Sequence, residues 1–309
     1  MTRLIADIGG THTRCAIVEA QGQIKETQVF MNEAFDGLEA LLTTYIDALD
    51  GNHRITSGRL AVAAPILGDA VKMINIDWQF SIRTLQQSLG LDELQMLNDF
   101  EALATGLPAF TAEHLFKIGS GEPVKPAPKA VLGPGTGLGV ASLIPDGDRW
   151  IAVGGEGGHV TLPASNPQEA ALIKRIHKAF GHCSAERLIS GPGLELLHAT
   201  LHDIPAISAA DIAGLANAGN PRAQNSLNMF FELLGTVASN LALTIGAFGG
   251  IYIGGGIVPK HLERFSNSGF RDRFEAKGRY GDYLQQIPTY VIVEENPTLL
   301  ALASPPVPE

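Results

Sequence analysis

Short apolar runs, separated by glycine-rich turns, dominate both halves of the chain. In the first hundred residues the runs at 3–7, 14–19 and 24–30 read as strands. A helix follows, because Leu38, Leu41, Leu42, Tyr45, Ile46 and Leu49 recur three and four positions apart. Asp36 is placed to cap its start and Gly51 to end it. Strands at 60–64 and 71–74, a short helix over 82–89 and a buried strand at 94–97 complete this half, the last strand running into Asn98-Asp99 and a helix over 100–107. Alternation of this kind predicts an α/β sheet with helices packed on it.

The stretch 119–129 carries Pro123, Pro126 and Pro128 and reads as an exposed connection. Three strand patterns then recur at 129–133, 138–144 and 149–153, in the order and rough spacing of the first three. Helical patterns follow at 167–180, 184–200, 208–217 and from Pro221 to about Ala247. Asn220-Pro221 opens the last of these and Gly249-Gly250 closes it. A strand at 251–253, the triplet Gly254-Gly255-Gly256, a helix begun by Pro259 and an edge or closing strand at 289–293 end the pattern. The repetition predicts two α/β domains flanking a cleft, the natural place for a ligand.

Composition narrows the function. A net charge of −10 excludes a sequence-independent nucleic-acid binder, which needs a basic face, although a local loop can still take a nucleotide. The two cysteines, Cys15 and Cys183, lack metal-binding spacing and read as buried reduced thiols of a cytosolic protein. No signal peptide is apparent, and the apolar region 237–248 is too short and too polar to span a bilayer.

The chemistry lies in the turns. Asp7-Ile8-Gly9-Gly10-Thr11 and Gly133-Pro134-Gly135-Thr136-Gly137-Leu138-Gly139 each join two apolar strands. Glycines there turn successive N–H groups toward an anion and let it approach closely, so one phosphate-cradling device is used twice; two plain hairpin turns are the bland alternative. Asn98-Asp99 ends a buried strand, the edge that faces the ligand in open α/β sheets. There a carboxylate can accept a hydroxyl proton during phosphoryl transfer while the amide orients the alcohol, or both can simply cap the next helix. In Gly154-Gly155-Glu156-Gly157-Gly158-His159 four glycines surround one acid. Glu156 and His159, with Glu186 from Ser184-Ala185-Glu186-Arg187, suit a polyol site; a metal site of the same three is the rival, and Glu186 also suits a plain surface ion pair. Gly254, Gly255 and Gly256 fit the adenosine side of a nucleotide site or a strand-to-helix turn. No P-loop and no dinucleotide fingerprint are present.

Taken together these segments resemble the bacterial ATP-dependent glucokinases of the hexokinase, actin and heat-shock chaperone superfamily. The marks are Asp7–Thr11, Leu97-Asn98-Asp99-Phe100, Gly133–Gly139, Gly155–His159, the 184–193 stretch with Ser190-Gly191-Pro192-Gly193, and Gly254–Gly256, spread over nearly the whole chain. The resemblance implies two ribonuclease H-like (actin-like ATPase) domains, the first of residues 1–109 with 297–309 returning to it, the second of 110–296. It implies phosphorylation of D-glucose by ATP with Mg²⁺, the first step of glycolysis, by a cytoplasmic homodimer with no nucleic-acid or membrane partner. Asp99 is then the base toward the sugar 6-hydroxyl. Asn98, Asp99, Glu156, His159 and Glu186 hold the sugar. Asp7, Gly9, Gly10, Thr11, Gly135, Thr136 and Gly254–Gly256 serve the nucleotide, with Asp7 near the metal. A silent sugar sensor and a kinase for another hexose are the alternatives. Two departures stand out. Only His182-Cys183 lies where the related ROK kinases carry a cysteine-rich zinc motif, so structural zinc is not expected. The family's returning C-terminal helix must be short here, because Pro305-Pro306 blocks it.

Overall fold

A computed structural model describes residues 2–19, 22–49 and 53–304. The chain divides into two compact units, one of Met1–Thr111, Asp146–Ala152 and Glu294–Glu309, the other of Ala112–Pro145 and Val153–Val293.

In the first unit β1 (Thr2–Ile8), β2 (His12–Val18) and β3 (Ile24–Met31) form the expected meander. Helix α1 (Leu38–Asp47) leads to β4 (Ile55–Val62), a small hairpin of β5 (Ala70–Lys72) and β6 (Gln79–Ser81), α2 (Ile82–Ser88), β7 (Glu93–Asn98) and α3 (Asp99–Gly106). The sheet order is β3-β2-β1-β4-β7, antiparallel across the meander and parallel from β1 through β4 to β7. Strand residues alternate between two cores, as the two-residue period of a strand requires. Leu4, Ala6, Ile8, Leu60 and Val62 meet Leu41 and Tyr45 of α1 on one face. Ile5, Ala16, Ala61 and Leu97 face Ala102 of α3 on the other.

The second unit repeats the scheme. Strand β8 (Leu115–Ile118) precedes β9 (Lys129–Pro134), β10 (Leu138–Asp146) and β11 (Arg149–Gly155). Helices α4 (Pro167–Phe180), α5 (Ala185–Leu188), α6 (Gly191–His202), α7 (Ala209–Asn217) and α8 (Pro221–Ile245) follow. Then come β12 (Gly250–Ile253), α9 (Leu262–Ser266), α10 (Phe270–Glu275), α11 (Gly281–Gln285) and β13 (Thr289–Ile292). The order is β11-β10-β9-β12-β13-β8, with β9, β12 and β13 parallel. The core of this unit is built on Phe230, Phe231 and Leu234 of α8 with Phe265, Phe270 and Phe274. The chain then supplies α12 (Pro297–Ala303) to the first unit, where Leu299 and Leu302 join Ile5 and Ala61. Buried Arg59 holds the end of this seven-residue helix by donating to the carbonyls of Ala301, Leu302 and Ser304 at 3.2–3.5 Å, and reaches Thr105 Oγ1 of α3 at 2.9 Å.

The structure corrects several boundaries. Gly37, not Asp36, precedes α1, without a side-chain cap; the Gly51 stop lies outside the described residues. The 184–200 pattern is two helices, because the Ser190 hydroxyl accepts from Gly193 N and starts α6 afresh. Gly246, left-handed at φ 64°, ends α8, earlier than Gly249. The 289–292 strand is not an edge, since β8, which the pattern did not announce, pairs along it. Nor did it announce β6. Helix α8 runs for 25 residues and has the length and composition of a membrane-crossing helix, longer than the 237–248 run implied; it is a core helix packed on α6, α7 and α10, with 61% of its most apolar window buried.

The closeness of α3 to α12 gives a test. A Cβ on Gly106 would sit 2.3 Å from Ala301 Cβ, whereas one on Gly214, in α7, would meet nothing within 4 Å. Gly106→Ala is expected to cost about 1–3 kcal/mol through overpacking. Gly214→Ala should gain about 0.5–1 kcal/mol from helix propensity. Urea midpoints at constant slope measure both, and a neutral Gly106→Ala would contradict the packing described.

Candidate active site

In the first unit the register of three parallel strands sets the chemistry. Ile8 pairs with Val62 and Val62 with Asn98, so β1, β4 and β7 end level with one another. Asp7 and Asp99 therefore stand at the carboxyl ends of the two strands flanking β4, the edge where open α/β sheets take ligands. Burial raises both carboxyls to about 6; Arg14, opposite Asp7 across the β1–β2 pair, partly offsets this for Asp7, while the Asp7 charge adds to it for Asp99. Two acids that resist ionisation, poised near neutral pH, are suited to proton transfer and to a divalent cation.

Asn98 caps α3. Its Oδ1 accepts from Phe100 N at 3.0 Å and Glu101 N at 3.3 Å, and its Nδ2 donates to Ala64 O at 3.4 Å. The capping alternative raised by the sequence thus describes this amide. Asp99 Oδ1 accepts from Phe100 N at 3.0 Å, which fixes the carboxylate at the first residue of the helix. The Gly9-Gly10-Thr11 turn joins β1 to β2 and is closed by Gly9 N donating to His12 O at 3.0 Å. A Cβ on Gly10 would lie 2.8 Å from Asn75 Cβ, so this turn has no room for a side chain there. Asn75 carried no local signal and was missed.

In the second unit the turn after β9 is held from two sides. Gly135 N donates to Gly137 O, and Gly191 N, at the start of α6, donates to Gly135 O, both at 2.8 Å. The glycine triplet lies directly beside it. Gly254 N donates to Leu132 O at 2.9 Å, and a Cβ on Gly133 would fall 2.4 Å from the Gly254 carbonyl carbon. Gly255, at φ +78°, approaches Pro134 O so closely that a Cβ would sit 2.4 Å away. The triplet is thus both a strand-to-helix turn and a neighbour of the phosphate-type turn, while Gly256 faces open space.

Glu186, on short helix α5, is tied to the same turn: its Oε2 accepts from Leu138 N, the first residue of β10, at 2.8 Å. Gly137 permits this approach, because a Cβ there would lie 2.6 Å from Oε2. His159 Nε2 lies 3.7 Å from Glu186 Oε1 and 4.0 Å from Glu156 Oε2, with Glu156 and His159 on the turn that follows β11. Thr136, His159 and Glu186 line one pocket of about 220 Å³ together with Arg187, Ser190 and Pro192. The last three line the pocket without having been assigned to it; the 184–193 stretch was their signal. Among the described residues no three His, Cys, Asp or Glu side chains converge as metal ligands would.

Two sheets of this topology, each with a glycine turn inside its three-strand meander, and half-buried acids at strand ends of the first, define the actin-like class of ATP-dependent sugar kinases. A glucokinase from an Antarctic psychrotroph superposes with a TM-score of 0.89 at 33% identity, covering 98% of this chain and 97% of that one. A ROK-family glucokinase of Streptomyces griseus, solved with glucose and AMPPNP, shares the fold at a TM-score of 0.63 and 19% identity, covering 98% of each chain. The glucokinase of Nitrobacter hamburgensis is 44% identical over 98% of this chain and 97% of its own length. The sequence profile of the glucokinase family matches residues 4–305, and the chain belongs to that family. It is a hexose kinase that phosphorylates glucose.

Asp99 gives a two-sided test. Because its folded-state carboxyl is raised to about 6, charge at this position opposes folding: the favourable contribution is complete below the unfolded value and is lost as pH rises through about 6. Asp99→Asn should therefore raise the melting temperature at pH 7 while lowering kcat by at least roughly 10²-fold, the lower range for a positioned base. In the unaltered enzyme kcat/KM should fall with unit slope below about pH 6. Near-normal turnover in Asp99→Asn would remove this residue from the chemistry.

Proposed function

We propose that the enzyme transfers the γ-phosphoryl group of ATP to the 6-hydroxyl of D-glucose. The observation that carries this reading is the shared pocket of the second unit. The hydroxyl of the Gly135-Thr136 turn and the polar groups of His159 and Glu186 open into the same space, so a sugar held by the latter has its neighbour phosphate at the former.

Asp99 accepts the 6-hydroxyl proton as the sugar oxygen attacks phosphorus, and ADP leaves. Asn98, held by its cap bonds, orients the alcohol. Glu156 and Glu186 accept from ring hydroxyls, and His159 donates to or accepts from the next one. Gly9, Gly10 and Thr11 in one unit, and Gly135 and Thr136 in the other, cradle phosphates, with Gly254–Gly256 giving the adenosine side a flat approach. The donor set fits Mg²⁺: this ion takes one or two carboxylates and completes its shell with water and substrate phosphates, and Asp7 is a buried oxygen donor beside the phosphate turn. Held near Asp7, it would neutralise charge on the transferring phosphoryl group. A cytoplasmic homodimer acting at the entry to glycolysis, without nucleic-acid or membrane partners, completes the reading; the net charge of −10 supports the absence of nucleic acid.

Two substitutions separate the substrate halves. Glu156→Ala should raise the glucose KM strongly and leave the ATP KM nearly unchanged, because a site built to bond hydroxyls pays for each group left unpaired. A normal glucose KM and kcat in this variant would sink the sugar assignment. Thr136→Val deletes a hydroxyl at constant volume and should raise the ATP KM by roughly 10- to 150-fold, the equivalent of one hydrogen bond to a charged group. If the glucose KM moves instead, the turn has been placed on the wrong substrate.

A further inference from the structure

We infer that Asn32 is a positioning residue for ATP, the post on which the first phosphate turn is hung. Asn32 follows β3 and is 1% exposed, far from any strand pattern that marks it as functional. Its side chain makes two bonds of 2.8 Å: Oδ1 accepts from Thr13 Oγ1, itself fully buried, and Nδ2 donates to Gly9 O. Its backbone N donates to Thr11 O at 2.9 Å. One residue thus holds the carbonyls on either side of Gly10.

The consequence follows from peptide geometry. In a trans peptide the C=O of one residue and the N–H of the next point in opposite directions. Pinning the Gly9 carbonyl toward Asn32 therefore aims the Gly10 N–H away from it, and pinning the Thr11 carbonyl does the same for the His12 N–H. Glycine at 9 and 10 otherwise leaves the turn free to rotate these groups, which is the cost of using glycine to approach an anion. Asn32 removes that freedom before the nucleotide arrives. Donors fixed in advance bind developing phosphate charge without reorganising. Thr13 acts through Asn32, because its hydroxyl donates to Oδ1 and so sets which end of the amide meets Gly9.

This inference rests on the reading of the 9–11 turn as a phosphate cradle. The experiment measures ATP and glucose KM, kcat and thermal melting for Asn32→Ala, Thr13→Val and, as the reference for the turn itself, Thr11→Ala. Asn32→Ala should raise the ATP KM by roughly tenfold or more, on the scale at which a misplaced group about 1 Å away costs about 10²-fold, with the glucose KM unchanged. Thr13→Val should shift it in the same direction by less. Asn32→Asp keeps the acceptor for Thr13, loses the donor to Gly9 and adds a negative charge, so it should bind ATP no better than Asn32→Ala. A purely structural tie would instead lower the melting temperature and the active fraction with both KM values unchanged, and that result overturns the inference. Should Asn32→Ala not fold, Thr13→Val decides on the same criterion. If Thr11→Ala weakens ATP and neither Asn32→Ala nor Thr13→Val does, Asn32 alone is excluded. If all three leave ATP binding untouched, the phosphate reading of the turn has failed and the inference with it.

Discussion

The register of β1, β4 and β7 is the constraint on which the arrangement of the first unit depends. Backbone hydrogen bonds bring three strand ends level, and the sequence places an acid at or just past two of them. Sliding either strand by one residue would turn its carboxylate to the opposite face of the sheet. The placement of both acids is thus supplied by main-chain pairing, which is indifferent to side-chain identity. Packing on the two faces of that sheet defends the register, since every strand residue that slips would take an apolar side chain out of one core or the other.

Partial burial of two acids at the ends of strands that flank β4 is unfavourable, and the surroundings of Asp99 show how the fold sustains it. Asn98 accepts from two N–H groups of α3 and Asp99 shares one of them, that of Phe100, so the helix begins at the carboxylate with little freedom. At the far end, Thr105 and Gly106 meet Arg59 and Ala301. Asp99 is fixed at one end of a helix whose other end is clamped. In the second unit the same economy appears in another form: Glu186 is held by the main chain of β10, so the strand that leaves the glycine turn also orients this acid.

The glycine turns, the acid at the end of β7 and the repeat of the three-strand meander were all legible in the sequence, because each depends on local residue type or on a short period. Helix ends were less so. Gly249-Gly250 looks like a stop, but Gly246 takes the left-handed conformation first, and only the three-dimensional path decides between nearby glycines. Strand β8 was hidden in Leu115-Phe116-Lys117-Ile118, too short to show alternation and stabilised by pairing with β13 more than 170 positions away. Asn32 and Asn75 were illegible for the same reason. Nothing in their neighbourhoods distinguishes them, and their importance comes from the turn they meet across the fold. The departure noted at the C-terminus proved readable in one respect: α12 is short, and a buried arginine compensates by gathering its last carbonyls.

That arginine has a consequence for biosynthesis. The bond from Arg59 to Ala301 spans 242 positions, and Leu299 and Leu302 complete the core beneath Ile5 and Ala61. A ribosome adding about 5–20 residues per second makes α12 last, so the first unit waits roughly 10–40 s after its own strands have emerged before that core can be covered. During this interval that face of the nascent sheet has α3 but not α12, while the second unit is still being made. Folding therefore cannot proceed strictly from the amino end. The unit begun first is completed only after the second has been made.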